Sequence, residues 1–451
     1  MTLRERNNVL LESTKRLLRR NAVAHLRKIV NKTHAADLSS LFRSLPFEQQ
    51  IKLFEMIESQ DQKGVLLSEL DPEAFLNILE NMEIPSLIQI LDTMPSDDVR
   101  ELINRLPEET ADQILDQMNT EGSEEIEGLL RYSDDTAGAI MTTEYIAFQE
   151  SITAREAMES LQKEYIDVEM PFYLYVVDEY QRLIGVCSLR QLVVNPPERQ
   201  LKTFMSTDIV WVTTEMDQEE VARIVARYDI LAVPVVDENN TLVGIVTVDD
   251  VIDVLREEAT EDILKMAGVG EEFVETQTIL RSTRIRLPWL FASCVGGIFA
   301  FFIVGKFEDT LIKVAYLAAF IPVIMGMGGN IGTQSSTIVV RGLATGRILV
   351  RDCWAVVGKE LCVGLILGLF YGLLVGSVAQ FRYDQIRVAV SVASAVLSSM
   401  SIAALVGSLV PMLFARINMD PAVATGPFVT TAIDIISIYC YFMIATTLLA
   451  L

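Results

Sequence analysis

A single acid inside an apolar run is the residue in this chain with the most chemistry to explain. From Ala422 to Leu451 the sequence is long enough to cross a bilayer, which takes about 20 apolar residues. It carries one ionisable side chain, Asp434, flanked by Thr430, Thr431 and Ser437. A carboxylate at membrane depth costs roughly 2.5–3.5 kcal/mol on insertion scales, so such groups are usually retained for function, and a negative one suits a cation. The competing reading is an aspartate satisfied by the hydroxyls or backbone of a neighbouring helix. Pro427 lacks a backbone donor and is expected to open the helix near the site.

A second concentration of carboxylates lies outside the apolar segments. Asp229, Asp249, Asp250, Asp253, Glu257 and Glu258 follow closely on Asp217, Glu219 and Glu220, and Asp97 and Asp98 form an earlier acidic turn. Oxygen ligands without histidine or cysteine suit hard cations such as Mg²⁺. Singly, each acid is better explained as a solvated surface charge than as a ligand; it is the grouping that points to a metal. His25 and His34 are the two histidines, and Cys187, Cys294, Cys353, Cys362 and Cys440 form no CxxC pair, which argues against zinc sites and disulfides. There is no nucleophile–base constellation, P-loop or glycine-rich phosphate motif, so an enzyme is not expected.

The elements that position these residues divide sharply. Of 37 Lys and Arg and 61 Asp and Glu, residues 281–451 hold 12 and 7, a balance of +5; residues 1–280 hold the other 25 and 54, a balance of −29. So acidic a first part disfavours nucleic acid and anionic membrane surfaces and favours cations or basic partners. The N-terminal residues lack an apolar stretch, and no cleavable signal is expected. Residues 1–30 read as one amphipathic basic helix. From about Asp37 to Leu130 a loose repeat follows, with Pro46, Pro72, Pro95 and Pro107 at helix starts and acids in the first turns. Stacked short helices of this kind build an α-superhelical domain, placed at 1–131.

The pattern then changes. After YSDDTAGAIMTTEYIAF come two copies of a strand–turn–strand–helix unit, FYLYVVDEYQRLIGVCSLRQLV (172–193) and LAVPVVDENNTLVGIVTVDDVIDVL (231–255). Each is preceded by an MT or MS segment and a helix, Ala154–Lys163 or Gln218–Tyr228. These copies resemble a tandem CBS pair, placed within 132–258 as about 138–198 and 203–258. The resemblance implies adenine-nucleotide binding, with ATP as a possible ligand, through a G-h-h-T-x-x-D pattern. The second copy matches it with Gly244, Thr247 and Asp250; the first has Ser188 and Gln191 instead, leaving Tyr173 and Arg190 as its nearby candidates. A connecting helix is expected over 259–285, broken at Gly268 and Gly270.

Five apolar segments complete the chain, at about 287–305, 314–340, 355–380, 388–414 and 422–449, within a membrane domain at 286–451. Lys and Arg counts in the connections put the large acidic part in the cytoplasm and the C-terminus outside. The second segment, rich in glycine and carrying Asn330, Thr333, Gln334, Ser335 and Ser336, reads as an irregular or tightly packed helix lining a cavity. Gly364, Gly368, Gly372 and Gly376 in the third read as a helix-packing stripe. Apart from Asp434, ionisable groups are few; Glu360 and Lys359 fall near a segment end.

In order, YSDDTAGAIMTTE, the CBS pair, MGMGGNIGTQSSTIVVRGLATG and DPAVATGPFVTTAIDIISIY resemble the MgtE family of bacterial Mg²⁺ channels across essentially the whole chain. The resemblance implies a multidomain fold (helical N-domain, CBS pair, five transmembrane helices) and a homodimer in the cell membrane. It also implies a pore lined by the second and fifth segments, with Asp434 as the pore acid and Asn330, Gly329, Gly426, Pro427 and Thr431 near it. It implies further that cytosolic Mg²⁺ closes the pore by bridging acids. The candidates by position are Asp97, Asp98, Asp217, Glu219, Asp229, Asp250, Asp253, Glu258, Glu261 and Asp262. The alternative is a secondary transporter of divalent cations (Mg²⁺, Mn²⁺, Co²⁺) coupled to an ion gradient.

Overall fold

The computed structural model describes residues 3–163, 170, 172–269, 279–423 and 426–449. The chain divides into two compact units, Met1–Leu255 and Arg256–Leu451.

The first unit opens with a run of helices from Leu3–Arg19 to Thr120–Leu129. The basic segment expected as one helix is two, Leu3–Arg19 and Val23–Val30, because Asn21 adopts left-handed backbone with φ 52°. Asparagine tolerates that region better than most residues. Pro72 occupies the first position of Pro72–Leu79, behind Asp71, whose carboxylate accepts from the Ala74 N–H at 2.9 Å. Pro46, Pro95 and Pro107 stand one residue earlier, just before Phe47–Phe54, Ser96–Asn104 and Glu108–Gln117. In both places proline withholds an N–H that has no partner within the helix. The short helices bury one face each, through Leu53, Phe75, Ile78, Leu102 and Ile103 among others. That core continues through Met141 into Val233, Val235 and Val246 of the second CBS repeat.

Each repeat is a three-stranded sheet. In the first, β1 (Ala147–Gln149) runs parallel to β2 (Tyr173–Val177), and β3 (Leu183–Ser188) antiparallel to β2; β4 (Val212–Thr213), β5 (Ala232–Val236) and β6 (Leu242–Thr247) repeat the order. The two preceding helices lie at Ala154–Lys163 and Gln218–Tyr228, as expected. The first strand of each sheet was not expected, since strands of 3 and 2 residues carry almost no alternation to read.

The lead-in segments are exchanged between the repeats. Thr142, ahead of the first repeat, pairs with Ile245 of the second, donating and accepting at 2.9 Å. Ser206, ahead of the second, pairs with Val186 of the first at 2.9 and 3.0 Å. Gly185 and Gly244 make room for this: a Cβ on Gly244 would lie 2.7 Å from the Met141 sulfur and 2.8 Å from the Thr142 carbonyl, and one on Gly185 would strike Met205.

The helix after β6 runs without a break from Val248 to Met266, so the connecting segment expected at 259 is the last part of this helix, not a separate one. It stops at Gly268, φ 72°, where the Val269 N–H reaches back to the Leu264 carbonyl at 2.9 Å. Gly270 and the rest of the connection up to residue 278 lie outside the described residues.

Among the described residues the second unit contains five helices long and apolar enough to cross a membrane. They are Ile279–Lys306, Ile321–Ala344, Cys353–Tyr383, Ile386–Arg416 and Pro427–Leu449, the first to fifth membrane helices. The first begins well before the apolar segment at 287 and continues past Pro288. The second is a regular helix in which Gly328 and Gly332 serve close packing: at Gly332 its backbone meets that of Gly407 on the fourth helix. The glycine stripe of the third helix packs on the fourth, backbone to backbone; a Cβ on Gly372 would lie 2.7 Å from the Ala393 carbonyl and one on Gly368 3.0 Å from that of Leu397.

Candidate functional site

Asp434 lies two turns into the fifth membrane helix and is half-buried. Pro427 does not interrupt this helix as expected; the helix starts there, where a missing N–H costs nothing. The first turn is closed by the Thr430 hydroxyl, which donates to the Gly426 carbonyl at 2.7 Å. Ser437, three residues past Asp434 and about 60° round the axis, is buried and hydrogen-bonded to Ser399 of the fourth helix at 2.8 Å. The structural reading of a polar group satisfied by a neighbouring helix thus holds for Ser437. Asp434 instead lines a cavity of about 440 Å³.

The cavity is walled by Ser293, Gly296 and Gly297 of the first helix, Met325 and Thr333 of the second, and Thr430, Thr431 and Asp434 of the fifth. Gly296 lets the first helix lie directly on Thr431, where a Cβ would have no space. Met266 and Ala267, at the end of the helix that begins at Val248, form part of the lining. Gly426 lies against that end too; a Cβ there would come within 3.0 Å of the Met266 carbonyl. The same region carries a charge contact. Lys265 pairs with Glu261 on its own helix and with Asp420 at 2.8 Å, ahead of the fifth membrane helix.

On the second helix Asn330, Thr333, Gln334 and Thr337 form an exposed polar stripe, while Gly329 is buried with Thr430 as its neighbour. Glu360 differs from expectation. It lies two turns from the start of the third helix, but it is 5% exposed and accepts a hydrogen bond from Ser335 at 2.8 Å. Its sequence signal was that of Asp434, an acid in an apolar run, masked by the adjacent Lys359.

In the first unit the structure draws together Asp98, Asp249 and Asp250. Burial pushes the Asp98 carboxyl up to about 6, helped by the negative charges of Glu101 and Asp249 and opposed by Arg105. Burial likewise raises Asp250, to about 7, with Asp249 and Asp98 adding to the rise against a hydrogen bond from Thr247. Carboxyls held this way bind a proton or a cation readily. Asp97 neighbours Asp98 at the start of Ser96–Asn104.

The other sensor candidates are placed differently. Asp217 caps the helix Gln218–Tyr228, accepting from the Glu219 N–H at 2.9 Å, and Glu219 pairs with Arg223 at 2.5 Å. Asp229 ends that helix in left-handed backbone, φ 52°, and Asp253 is exposed. Glu258 and Asp262 are half-buried, and Glu261 is engaged by Lys265. Among the described residues no three acids, histidines or cysteines converge as a metal cage.

Of the nucleotide candidates, Tyr173 packs on a cluster shared by both repeats, including Tyr175, Ala232 and Ile245, and Arg190 is exposed. Thr247 is fully buried with its hydroxyl on Asp250. Gln191 is occupied with the Ser188 N–H at 2.8 Å in a capping box.

Comparison with known proteins agrees with this architecture. Residues 321–444 match the model of a divalent cation transporter, MgtE; 33–135 match the MgtE intracellular N domain; 137–196 and 201–257 match the CBS domain. The magnesium transporter MgtE of Thermus thermophilus is 42% identical over 330 residues, 72% of each chain. That of Bacillus subtilis is 33% identical over 431 residues, 95% of each. A crystal structure of the cytosolic domain of the Mg²⁺ channel MgtE in complex with ATP superposes with a TM-score of 0.52 at 36% identity, covering 54% of this chain and 99% of that one. By motif, domain order and fold, this chain belongs to the MgtE family of magnesium transporters.

Proposed function

We propose that the protein is a Mg²⁺-selective channel for Mg²⁺ uptake, closed from the cytoplasmic side by Mg²⁺ itself. The observation that carries the reading is the position of Asp434: a carboxylate inside a membrane helix, turned into a cavity lined by three membrane helices and by the end of the helix from the CBS pair. Mg²⁺ releases its water reluctantly. A wide site with carboxylate, hydroxyl and amide oxygens holds it hydrated and avoids that cost. Asn330, Gly329, Thr431, Gly426 and Pro427 complete the ion path.

The exposed stripe of Asn330, Thr333, Gln334 and Thr337 supports a homodimer. Lipid does not tolerate such a face, and a second copy of the chain across a shared pore would cover it. The soluble domains lie in the cytoplasm and the C-terminus outside, on the distribution of Lys and Arg. The boundaries of 1–131, 132–258, 259–285 and 286–451 stand in this reading as functional divisions.

Gating follows from charge. With Mg²⁺ bound among Asp97, Asp98, Asp250 and Asp253, and among Asp217, Glu219, Asp229, Glu258, Glu261 and Asp262, the acidic domains hold a compact arrangement. Ions that bind one arrangement stabilise it by mass action. Loss of Mg²⁺ leaves the acids repelling, and Met266 and Ala267 withdraw from the cavity. ATP in the CBS pair, as in the related cytosolic domain, would stack on Tyr173 and meet Arg190, with Thr247 available once its bond to Asp250 is released.

A coupled carrier is the second reading, and buried Glu360 favours it, since carriers use such groups to bind the coupling ion. Planar-bilayer recording separates the two. The expected result is a Mg²⁺ current that falls as Mg²⁺ on the cytoplasmic side is raised, and that loses Mg²⁺ selectivity in D434A. A D434A variant that conducts like the wild type overturns the pore assignment. Tracer uptake that requires a Na⁺ or H⁺ gradient, without current, favours the carrier.

A further inference from the structure

We propose that Glu360 is a positioning residue for the ion path, fixing the rotation of the second membrane helix through its hydrogen bond with Ser335. The inference rests on the ion path described above and adds a residue that does not touch it. The second helix has two faces. Ile324, Gly328, Gly332, Ser335 and Val339 are buried against the other helices, and Asn330, Thr333 and Gln334 are exposed on the opposite side. Ser335 lies five residues after Asn330, which at 3.6 residues per turn places it about 140° round the axis.

The buried face is held by apolar packing of Ile324, Ile331, Val339 and Val340 and by a few directional bonds. At Gly332 the contact with Gly407 is backbone on backbone, and the Ile433 side chain of the fifth helix seats against the same glycine and against Gly328. The directional contacts near it are hydrogen bonds. Towards the N-terminal end Ser399 reaches the Ile324 carbonyl at 3.2 Å; towards the C-terminal end Ser335 reaches Glu360 at 2.8 Å. Glu360 itself is held by the third helix one turn before Gly364, whose Cβ position lies 3.0 Å from the Met400 carbonyl of the fourth helix. The third helix is therefore seated on the fourth and presents the carboxyl to the second from a fixed base. Among the described residues no ion pair reaches Glu360. Its partner is the serine hydroxyl, and the bond forms whether the carboxyl is charged or neutral.

The test measures Mg²⁺ and Ca²⁺ flux separately in proteoliposomes containing the full-length protein, for wild type, S335A, E360L, E360Q and D434N. Simple destabilisation lowers the amount of active protein and scales both fluxes alike, leaving their ratio unmoved. The pin predicts that S335A and E360L lower the Mg²⁺/Ca²⁺ ratio by about tenfold, the size of one lost buried hydrogen bond. E360Q, whose amide oxygen still accepts from Ser335, is expected to keep the wild-type ratio. If S335A and E360L keep that ratio while D434N still loses Mg²⁺ flux, the pin alone is overturned. If E360Q falls as far as E360L, charge and not the bond is what matters, and the pin is again overturned. Intact Mg²⁺ flux in D434N overturns the pore reading and the pin with it.

Discussion

Asp434 and Glu360 are both acids at membrane depth, yet they do opposite things with their surroundings. Asp434 has a cavity before it and Glu360 a serine. An isolated acid in an apolar run can be found by inspection, and Asp434 was. Glu360 carried the same mark, but Lys359 made the pair look like a segment end, and only the packing of the third helix shows it to be buried. Asp98 and Asp250 illustrate the converse: many acids in the first part of the chain invite a metal reading, and folding draws these two and Asp249 together. Their raised carboxyls give a pH dependence with a definite sign. Between the ordinary carboxylate range and about 6 to 7 the folded state binds more protons than the unfolded one, so without divalent ions stability falls as pH rises through that window. Thermal unfolding in EDTA at a series of pH values is expected to show this slope, flattened in D98N and D250N. Added Mg²⁺ is expected to restore stability at the alkaline end, by about 2.7 kcal/mol at a hundredfold excess over its dissociation constant. A flat profile in wild type removes these two acids from the account.

At the level of elements, periodic signals came through and short or shared ones did not. Ala154–Lys163, Gln218–Tyr228 and the two long strands of each repeat were readable because apolar spacing persists over their length. β1 and β4 were too short to show a period. The connecting helix could not be separated by eye because it is continuous with the second repeat's last helix, and helical spacing carries no mark where one role ends and another begins. The four-residue glycine spacing identified a packing stripe, but not its partner, which is set by the Ala393 and Leu397 backbone of the fourth helix. Substitution tests that contact. In G372L the new side chain must displace backbone, for which overpacking costs of about 1–3 kcal/mol or more are expected, read as a lower melting temperature in detergent. G358L, on the same helix with open space at its Cβ position, is the control and should melt like wild type.

The whole molecule sets a balance of −29 over residues 1–280 against +5 over 281–451. That asymmetry was plain from composition, and it made a cation-dependent assembly the natural expectation. The exposed polar stripe on the second membrane helix was less plain, since sequence does not say which side of a helix its neighbours leave open. If a second copy covers it, light scattering in mild detergent should report twice the chain mass, and cysteines placed at Asn330 should cross-link between subunits. A monodisperse single chain, still transporting after reconstitution at high dilution, would remove the dimer.

The exchanged lead-ins of the CBS pair have a consequence for how the protein is made. A ribosome that has released residues up to about 200 has delivered every strand of the first repeat, but not the Ser206 segment that lies along β3. Met141 and Thr142, among the earliest residues of the pair to emerge, wait for Ile245, the better part of the module later. The first repeat is thus incomplete where its own strands end, whereas the second finds its partner segment already made. Vectorial synthesis therefore supplies the first repeat's last pairing from the second repeat's sequence, and the full set of exchanged pairings is available only after β6 has left the exit tunnel.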